Sequence, residues 1–259
     1  TAGLSMTNPR QDKLLKLVID EGYYTVEDLA ESLNVSTQTI RRDIKKLSDD
    51  KLLIRHHGGA SSPASKTNLD YELRRSAETD EKNAIAKCIA ELVPDNSTIF
   101  ITIGTTAETI ANHLLKKSNL QVITNSLRVA NILHSNPSFD VLIPSGKVKA
   151  SNGGIVGTEA IDFISKFRFD YLLTSAGSLD TDGTLLEYDL NETELVQTVM
   201  KSARHMYVGL DSTKFVPKGS IALCHIREAT TLFTDKALPN TLAKNLQHEN
   251  ILIEVCKPE

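Results

Sequence analysis

The ten residues from Ser36 to Lys45 carry the side chains that proteins use on nucleic acid. At helical spacing Thr37, Arg41 and Lys45 fall one turn apart, with Gln38 and Arg42 beside them. An arginine fork matches guanine, a glutamine amide matches adenine, and threonine suits a thymine methyl or a phosphate. Ser36 and Thr39 add hydroxyls at the start of the same run. Further on, Arg55 and His56 precede Gly58-Gly59, where a turn would present them to a phosphate or a minor groove. His56 and His57 are also metal-ligand types, but no second His or Cys pair stands at metal-site spacing, so no metal is expected. A charged helix face is most often only solvated, so the neighbouring elements must decide.

A second group of polar residues lies downstream. Gly104-Thr105-Thr106, Thr124-Asn125-Ser126 and Ser151-Asn152-Gly153-Gly154 combine small residues, hydroxyls and amides. At helix starts such residues can cradle a small anion on backbone N–H groups. Ordinary strand-to-helix turns explain each stretch equally well. Asp180, Asp182 and Glu187 could bind sugar hydroxyls or act as acid and base. Two aspartates beside Gly183 also read as a turn. Lys214 could complement a phosphate, or simply be solvated. With no nucleophile triad beside them, neither catalytic residues nor a cofactor are expected.

The elements that must position these groups follow from periodicity. Leu14, Leu15, Leu17 and Val18 predict a helix over 10–21, ended by Gly22. Thr25 reads as an N-cap, with Asp28 where a capping box has Glu or Gln. Leu29, Ala30 and Leu33 form the inner face of that second helix, and Asn34 suits a tight turn. Ser36 then caps a third helix, in which Ile40, Ile44 and Leu47 point inward. The stretch 52–61 predicts a short strand, a turn and a basic wing. Helix, turn, capped helix and wing together are a DNA-reading arrangement.

Residues 62–77, small and polar around Pro63 and charged from Tyr71, read as a linker with the start of a connecting helix. From residue 78 onward, β-branched runs (98–103, 120–124, 139–144, 169–174, 205–210, 230–234 and 251–255) alternate with helical patterns. That alternation predicts an α/β domain with a mainly parallel sheet, in which ligands bind beyond the carboxyl ends of the strands. The polar stretches above fall at those ends.

The chain has 259 residues and a formal net charge of −4, so it is no basic nucleic-acid coat. Its charge is nevertheless polarised. Residues 1–35 sum to −3, whereas 36–61 sum to +3, the local positive face that phosphate contact needs. No apolar run approaches the roughly 20 residues of a membrane span, and no secretory pattern is present. Three widely spaced cysteines suit reduced thiols, and a cytoplasmic location is expected. The five residues before Met6 are expected to be a cloning remnant.

These residues reach a recognisable pattern. V-E-D-L-A at Val26–Ala30, V-S-x-x-T-I-R-R-D at Val35–Asp43 and R-x-H-G-G-A at Arg55–Ala60 resemble the DeoR family of bacterial regulators. I-G-T-T, T-N-S-L, G-G-I-V-G, D-F-I-S-K-F-R-F-D, L-D-T-D-G and D-S-T-K-F continue the resemblance across the larger domain. It implies a winged helix-turn-helix domain at 1–61, a linker at 62–77 and a sensor domain at 78–259 similar in fold to ribose-5-phosphate isomerase. The implied function is a homo-oligomeric repressor, dimer or tetramer, on a double-stranded DNA operator, controlled by a phosphorylated sugar or polyol such as glycerol 3-phosphate. Ser36, Thr37, Gln38, Thr39, Arg41, Arg42, Lys45, Arg55 and His56 become DNA-contact candidates. Gly104, Thr105, Thr106, Thr124, Asn125, Gly153, Gly154, Asp180, Glu187 and Lys214 become effector-binding candidates.

Several positions depart from the family pattern. Thr102 stands where the family commonly has Asp, Ser145-Gly146 replaces Gly-Gly, Ser175 to Ser178 replaces a G-x-x-G spacing, and Val196 stands where Lys is usual. All lie near the expected pocket and bear on which effector it takes. The rival reading is a sugar-phosphate isomerase with an accessory DNA-binding domain.

Overall fold

The computed structural model describes residues 8–21, 23–50, 52–56, 58–61, 79–216, 219–249 and 251–258. The linker 62–77, Gly22 and His57 lie outside the described residues, as does the side chain of His56. The chain divides into two compact units, Thr1–Arg74 and Arg75–Glu259.

In the first unit, α1 (Pro9–Glu21), β1 (Tyr23–Thr25), α2 (Val26–Ser32) and α3 (Thr37–Asp49) precede a hairpin of β2 (Ile54–His56) and β3 (Gly59–Ser61). β3 pairs antiparallel with both β1 and β2, which makes a three-stranded wing sheet. Both expected caps form: Thr25 accepts from the Asp28 amide, and Ser36 from the Thr39 amide. Each is worth about 1 kcal/mol. Asn34 turns the chain between α2 and α3 at φ 51°, a left-handed conformation that asparagine tolerates. Leu14, Val18, Leu29, Ile40, Ile44, Leu47 and Leu53 close one small core.

The second unit begins with α4 (Thr79–Leu92) and continues through β4 (Thr98–Ile101), α5 (Thr105–Leu114), β5 (Gln121–Thr124), α6 (Leu127–Leu133) and β6 (Asp140–Leu142). A small hairpin, β7 (Lys147–Val148) and β8 (Ile155–Val156), leads to α7 (Thr158–Ile164) and β9 (Phe169–Thr174). Then come β10 (Ser178–Leu179), β11 (Thr184–Glu187), α8 (Leu190–Met200), β12 (Ala203–Gly209), β13 (Ile221–His225), β14 (Thr231–Thr234), α9 (Asn240–Asn245) and β15 (Leu252–Val255).

Seven strands form one sheet in the order β15-β14-β12-β9-β4-β5-β6, and every pairing in it is parallel. Side chains alternate across it, as pleating requires. Ile99, Ile101, Val122, Leu173 and Phe233 face a core with α4, α5 and α6. Phe100, Ile123, Leu172, Val208 and Leu232 face another with α7, α8 and α9. The result is a three-layer α/β/α unit.

Three features differ from the periodicity. The run 98–103 leaves the sheet after Ile101, although the Thr102 amide still donates to the Leu173 carbonyl at 3.1 Å. The antiparallel pieces β7–β8 and β10–β11–β13 had no local signal. Cys88 and Cys256, far apart in sequence, share one core, and burial, with the Cys88 thiol nearby, pushes the Cys256 thiol up.

Candidate functional site

The reader unit presents one face of α3 outward. Thr37, Gln38, Arg41, Arg42 and Lys45 are exposed, while Ile40, Ile44 and Leu47 are buried on the opposite side. Ser36 and Thr39 are occupied locally: their hydroxyls lie 2.9 Å apart and organise the helix start. Arg55 is exposed on β2. Arg41 lies 3.9 Å from Glu27 of α2, both about two-thirds exposed. Such a loose surface pair contributes little and leaves the arginine able to swing.

One residue of this motif has a different task. Asp43 is buried at 4% exposure and accepts from Arg10 Nε at 2.6 Å, Arg10 Nη2 at 3.2 Å and Gln11 Nε2 at 2.9 Å. Burial alone would raise its pKa, but the bonds from Arg10 and Gln11, with the nearby charges of Arg10 and Lys46, hold it below the usual carboxylate range. The pair locks α3 onto α1. Asp43 escapes the sequence reading of this face; the signal that could have found it is its place beside the inward positions 40, 44 and 47.

In the sensor unit the strand order reverses between β4 and β9: the chain runs outward through β5 and β6 on one side, and through β12, β14 and β15 on the other. Such a switch point opens a crevice at the carboxyl ends of the strands. There Thr102 Oγ1 and Thr174 Oγ1 meet at 3.1 Å, both buried. So Thr102, read in the sequence as a departure from the family pattern, makes a neutral hydroxyl pair with the neighbouring strand.

Next to it, Gly104 begins α5 at φ 141° without a side-chain cap, and a Cβ there would meet nothing within 4 Å. Open space thus adjoins the start of α5 at Gly104, while Thr105 and Thr106 of its first turn are buried. Thr124 is engaged internally. Its hydroxyl donates to the Ile101 carbonyl at 2.7 Å and accepts from the Ser126 amide at 3.1 Å, tying β5 to β4. Asn125 is 1% exposed; its Nδ2 donates to the Ile155 carbonyl at 3.2 Å. Among the described residues, Asn125 Oδ1 and Thr234 Oγ1 are the buried side-chain oxygens without a partner, a costly state that a ligand hydroxyl would relieve.

Gly153 and Gly154 join this edge. The Gly153 carbonyl accepts from the Leu127 amide at 3.1 Å, Ser126 bridges to Gly154, and a Cβ on Gly154 would lie 2.3 Å from Ile103 Cδ1. Lys149, on the same hairpin, donates to Asp189 at 2.8 Å and Glu192 at 2.5 Å, and Asn152 donates to Glu192 at 2.9 Å. Burial alone would lower the Lys149 pKa, but these two acids raise it.

Of the remaining candidates, Asp180 sits in the β10–β11 turn. Its Oδ1 accepts from the Thr181 amide at 2.6 Å, and its own amide donates to the Thr184 carbonyl at 2.9 Å. Asp182 accepts from the Thr184 amide at 2.8 Å, a bond that holds its carboxyl below the usual range. Glu187 is at the other end of β11, about 10 Å from Thr184 at the ~3.3 Å rise of a strand. The three acids do not converge as an acid–base group. Lys214 is half-buried in a short 3₁₀ turn, Ser212–Lys214, held by two buried aspartates. Asp211 caps it, and Asp235 accepts from the Ser212 amide at 2.6 Å. A separate cleft of about 450 Å³ lies at the opposite, amino end of β12, lined by Met200, Lys201, Arg204 and Leu223 among others. Among the described residues no group of three or more His, Cys, Asp or Glu could hold a metal ion, and no helix is long and apolar enough to cross a membrane.

Comparison with known proteins assigns both units. Residues 10–66 match the DeoR-like helix-turn-helix domain, and residues 77–236 match the DeoR C-terminal sensor domain. The chain belongs to the DeoR family. Its DeoR-family relatives include the HTH-type transcriptional repressor CsqR of Escherichia coli, 47% identical over 95% of this chain and 94% of that protein. The glycerol-3-phosphate regulon repressor of E. coli is 37% identical over 95% of this chain and 98% of its own length. Among solved structures, ribose-5-phosphate isomerase A from Neisseria gonorrhoeae aligns with a TM-score of 0.38 at 16% identity, over 53% of this chain and 54% of that one.

Proposed function

We propose that this DeoR-family protein is a metabolite-controlled transcriptional repressor that docks α3 into the major groove of an operator. The observation that carries the reading is the exposed face of α3: Thr37, Gln38, Arg41, Arg42 and Lys45 stand clear of a core formed by the same helix. Arg41, Arg42 and Gln38 would read base edges, while Lys45, Arg55 and His56 would meet phosphates. Ser36 and Thr39 shape the helix start that approaches the backbone. One such module makes a small interface, so paired half-sites and a homo-oligomer follow.

For the sensor, the proposed effector is a phosphorylated sugar or polyol at the β4–β9 switch point. Two relatives named for transcriptional repression, one of the glycerol-3-phosphate regulon, support that class. Open space at Gly104 suits the anion on the first turn of α5, and Asn125 Oδ1 suits a hydroxyl. Gly153 and Gly154 would form the wall, with Thr124 holding the floor together. Glu187 and Lys214 would complete the rim, and Asp180 would act through its turn. The effector must bind the DNA-competent and DNA-incompetent states with different affinity.

The test has two parts. A thermal-shift screen of phosphorylated sugars and polyols, glycerol 3-phosphate included, should yield a compound that raises the melting temperature and then releases operator DNA. Arg41→Ala should weaken operator binding by roughly 5- to 150-fold, from the roughly 1–3 kcal/mol of a bidentate base contact, and leave the thermal shift intact. Equal operator affinity for variant and parent refutes the reading of α3.

A further inference from the structure

We infer that Arg128 is the anion-recognising cation of the effector pocket, and that Glu108 competes with the ligand for it. The inference rests on the pocket proposed above. Arg128 occupies the first turn of α6, directly after Ser126 and Leu127. A cation there opposes the helix dipole, so the position needs a compensating anion. Glu108, in the first turn of α5 and 6% exposed, supplies one: its Oε1 lies 4.0 Å from Arg128 Nε.

The placement is that of a binding group. The Glu108 amide donates to the Gly104 carbonyl, so Glu108 lies one turn beyond the glycine that faces open space. A Cβ on Gly153 would stand 3.8 Å from Arg128 Cγ, so the arginine stem runs along the hairpin wall. Asn125 Oδ1, buried and without a partner, belongs to the turn that leads into the same helix. Arg128 is thus one-third exposed between the N-terminus of α5 and a polar wall. A guanidinium offers five donors in a fixed fork, which fits a tetrahedral oxyanion bidentately. An entering anion adds negative charge beside Glu108, so the arginine must shift from carboxylate to ligand.

The test is calorimetric titration of the full-length protein with glycerol 3-phosphate and with inorganic phosphate. Arg128→Met should weaken both at least tenfold, Arg128→Lys by less, and Glu108→Gln should tighten both several-fold. The opposite effects of the two charge removals separate ligand recognition from a purely structural ion pair, in which both would weaken binding. Parent-like affinity in Arg128→Met, or weaker binding in Glu108→Gln, overturns the inference while the pocket stands. If Arg128→Met does not fold, Arg128→Lys and Glu108→Gln decide alone. A parent protein that binds neither probe overturns the inference together with the effector class proposed above.

Discussion

Asp43→Ala should unfold the reader unit early without touching the groove-facing side of α3. The substitution removes three hydrogen bonds, two from Arg10 and one from Gln11, at a site 4% exposed. Net values of roughly 0.5–1.5 kcal/mol per bond would suggest about 3 kcal/mol. Because the Arg10 side chain is 37% exposed and water can replace part of the loss, about 2 kcal/mol is the better expectation. For a unit of this size each kcal/mol moves the midpoint by about 4–8 °C, so the shift should be about 8–16 °C. Scanning calorimetry of the full chain should show it in the transition of the first unit alone. The pH dependence supplies a second check. The folded-state pKa of Asp43 is depressed, so its contribution is present above the ordinary value of about 4 and is lost as pH falls through the depressed one. The deficit of the variant should therefore shrink as the pH falls below that ordinary value. Replacing the pair by Arg10→Met with Asp43→Leu should recover most of the stability. Coincident transitions for Asp43→Ala and parent at pH 7 would refute the structural role.

Gly146→Ala should destabilise the sensor unit by about 2 kcal/mol, from overpacking: at φ 149° its Cβ would press within 2.7 Å of the Val156 carbonyl. A midpoint shift of about 4–8 °C in the second transition checks it. Lys149→Met should cost about 1–2 kcal/mol at pH 7, because Asp189 and Glu192 would then face each other uncompensated. Asp189 is depressed, so its share is lost on acidification; Lys149 is raised, so its share is lost as pH rises past its ordinary value of about 10.4. The gap between variant and parent melting curves should be widest near neutrality and narrow on acidification below the ordinary carboxylate range; a gap independent of pH would exclude the ion-pair explanation.

Much of the reader unit was legible because its signals are local. Thr25 and Ser36 cap helices one to three residues away, and the faces of α3 follow from its period. Asp43 shows where that legibility stops: its position on the inner face could be counted, but its partners Arg10 and Gln11 lie some thirty residues upstream. In the sensor, each strand of the seven-stranded sheet was readable as a β-branched run, yet the order β9-β4-β5 that creates the crevice arises from pairings far apart in sequence. The same gap explains Cys88 beside Cys256. Asp180, by contrast, was legible as a turn residue beside Gly183, because its bond to the Thr184 carbonyl is local. Arg128 left a fainter trace, a cation in a helix's first turn against the dipole.

The hairpin β7–β8 is fastened at two ends, to the start of α6 through Ser126 and Gly154 and to the start of α8 through Lys149, Asp189 and Glu192. Three stretches of chain more than sixty positions apart at their extremes are thereby bound to change in concert. A substitution at Lys149 strands two carboxylates on α8, and one at Asn152 removes a donor from Glu192. A redesign of this hairpin therefore keeps its contacts only when the hairpin and the first turn of α8 are exchanged as a set.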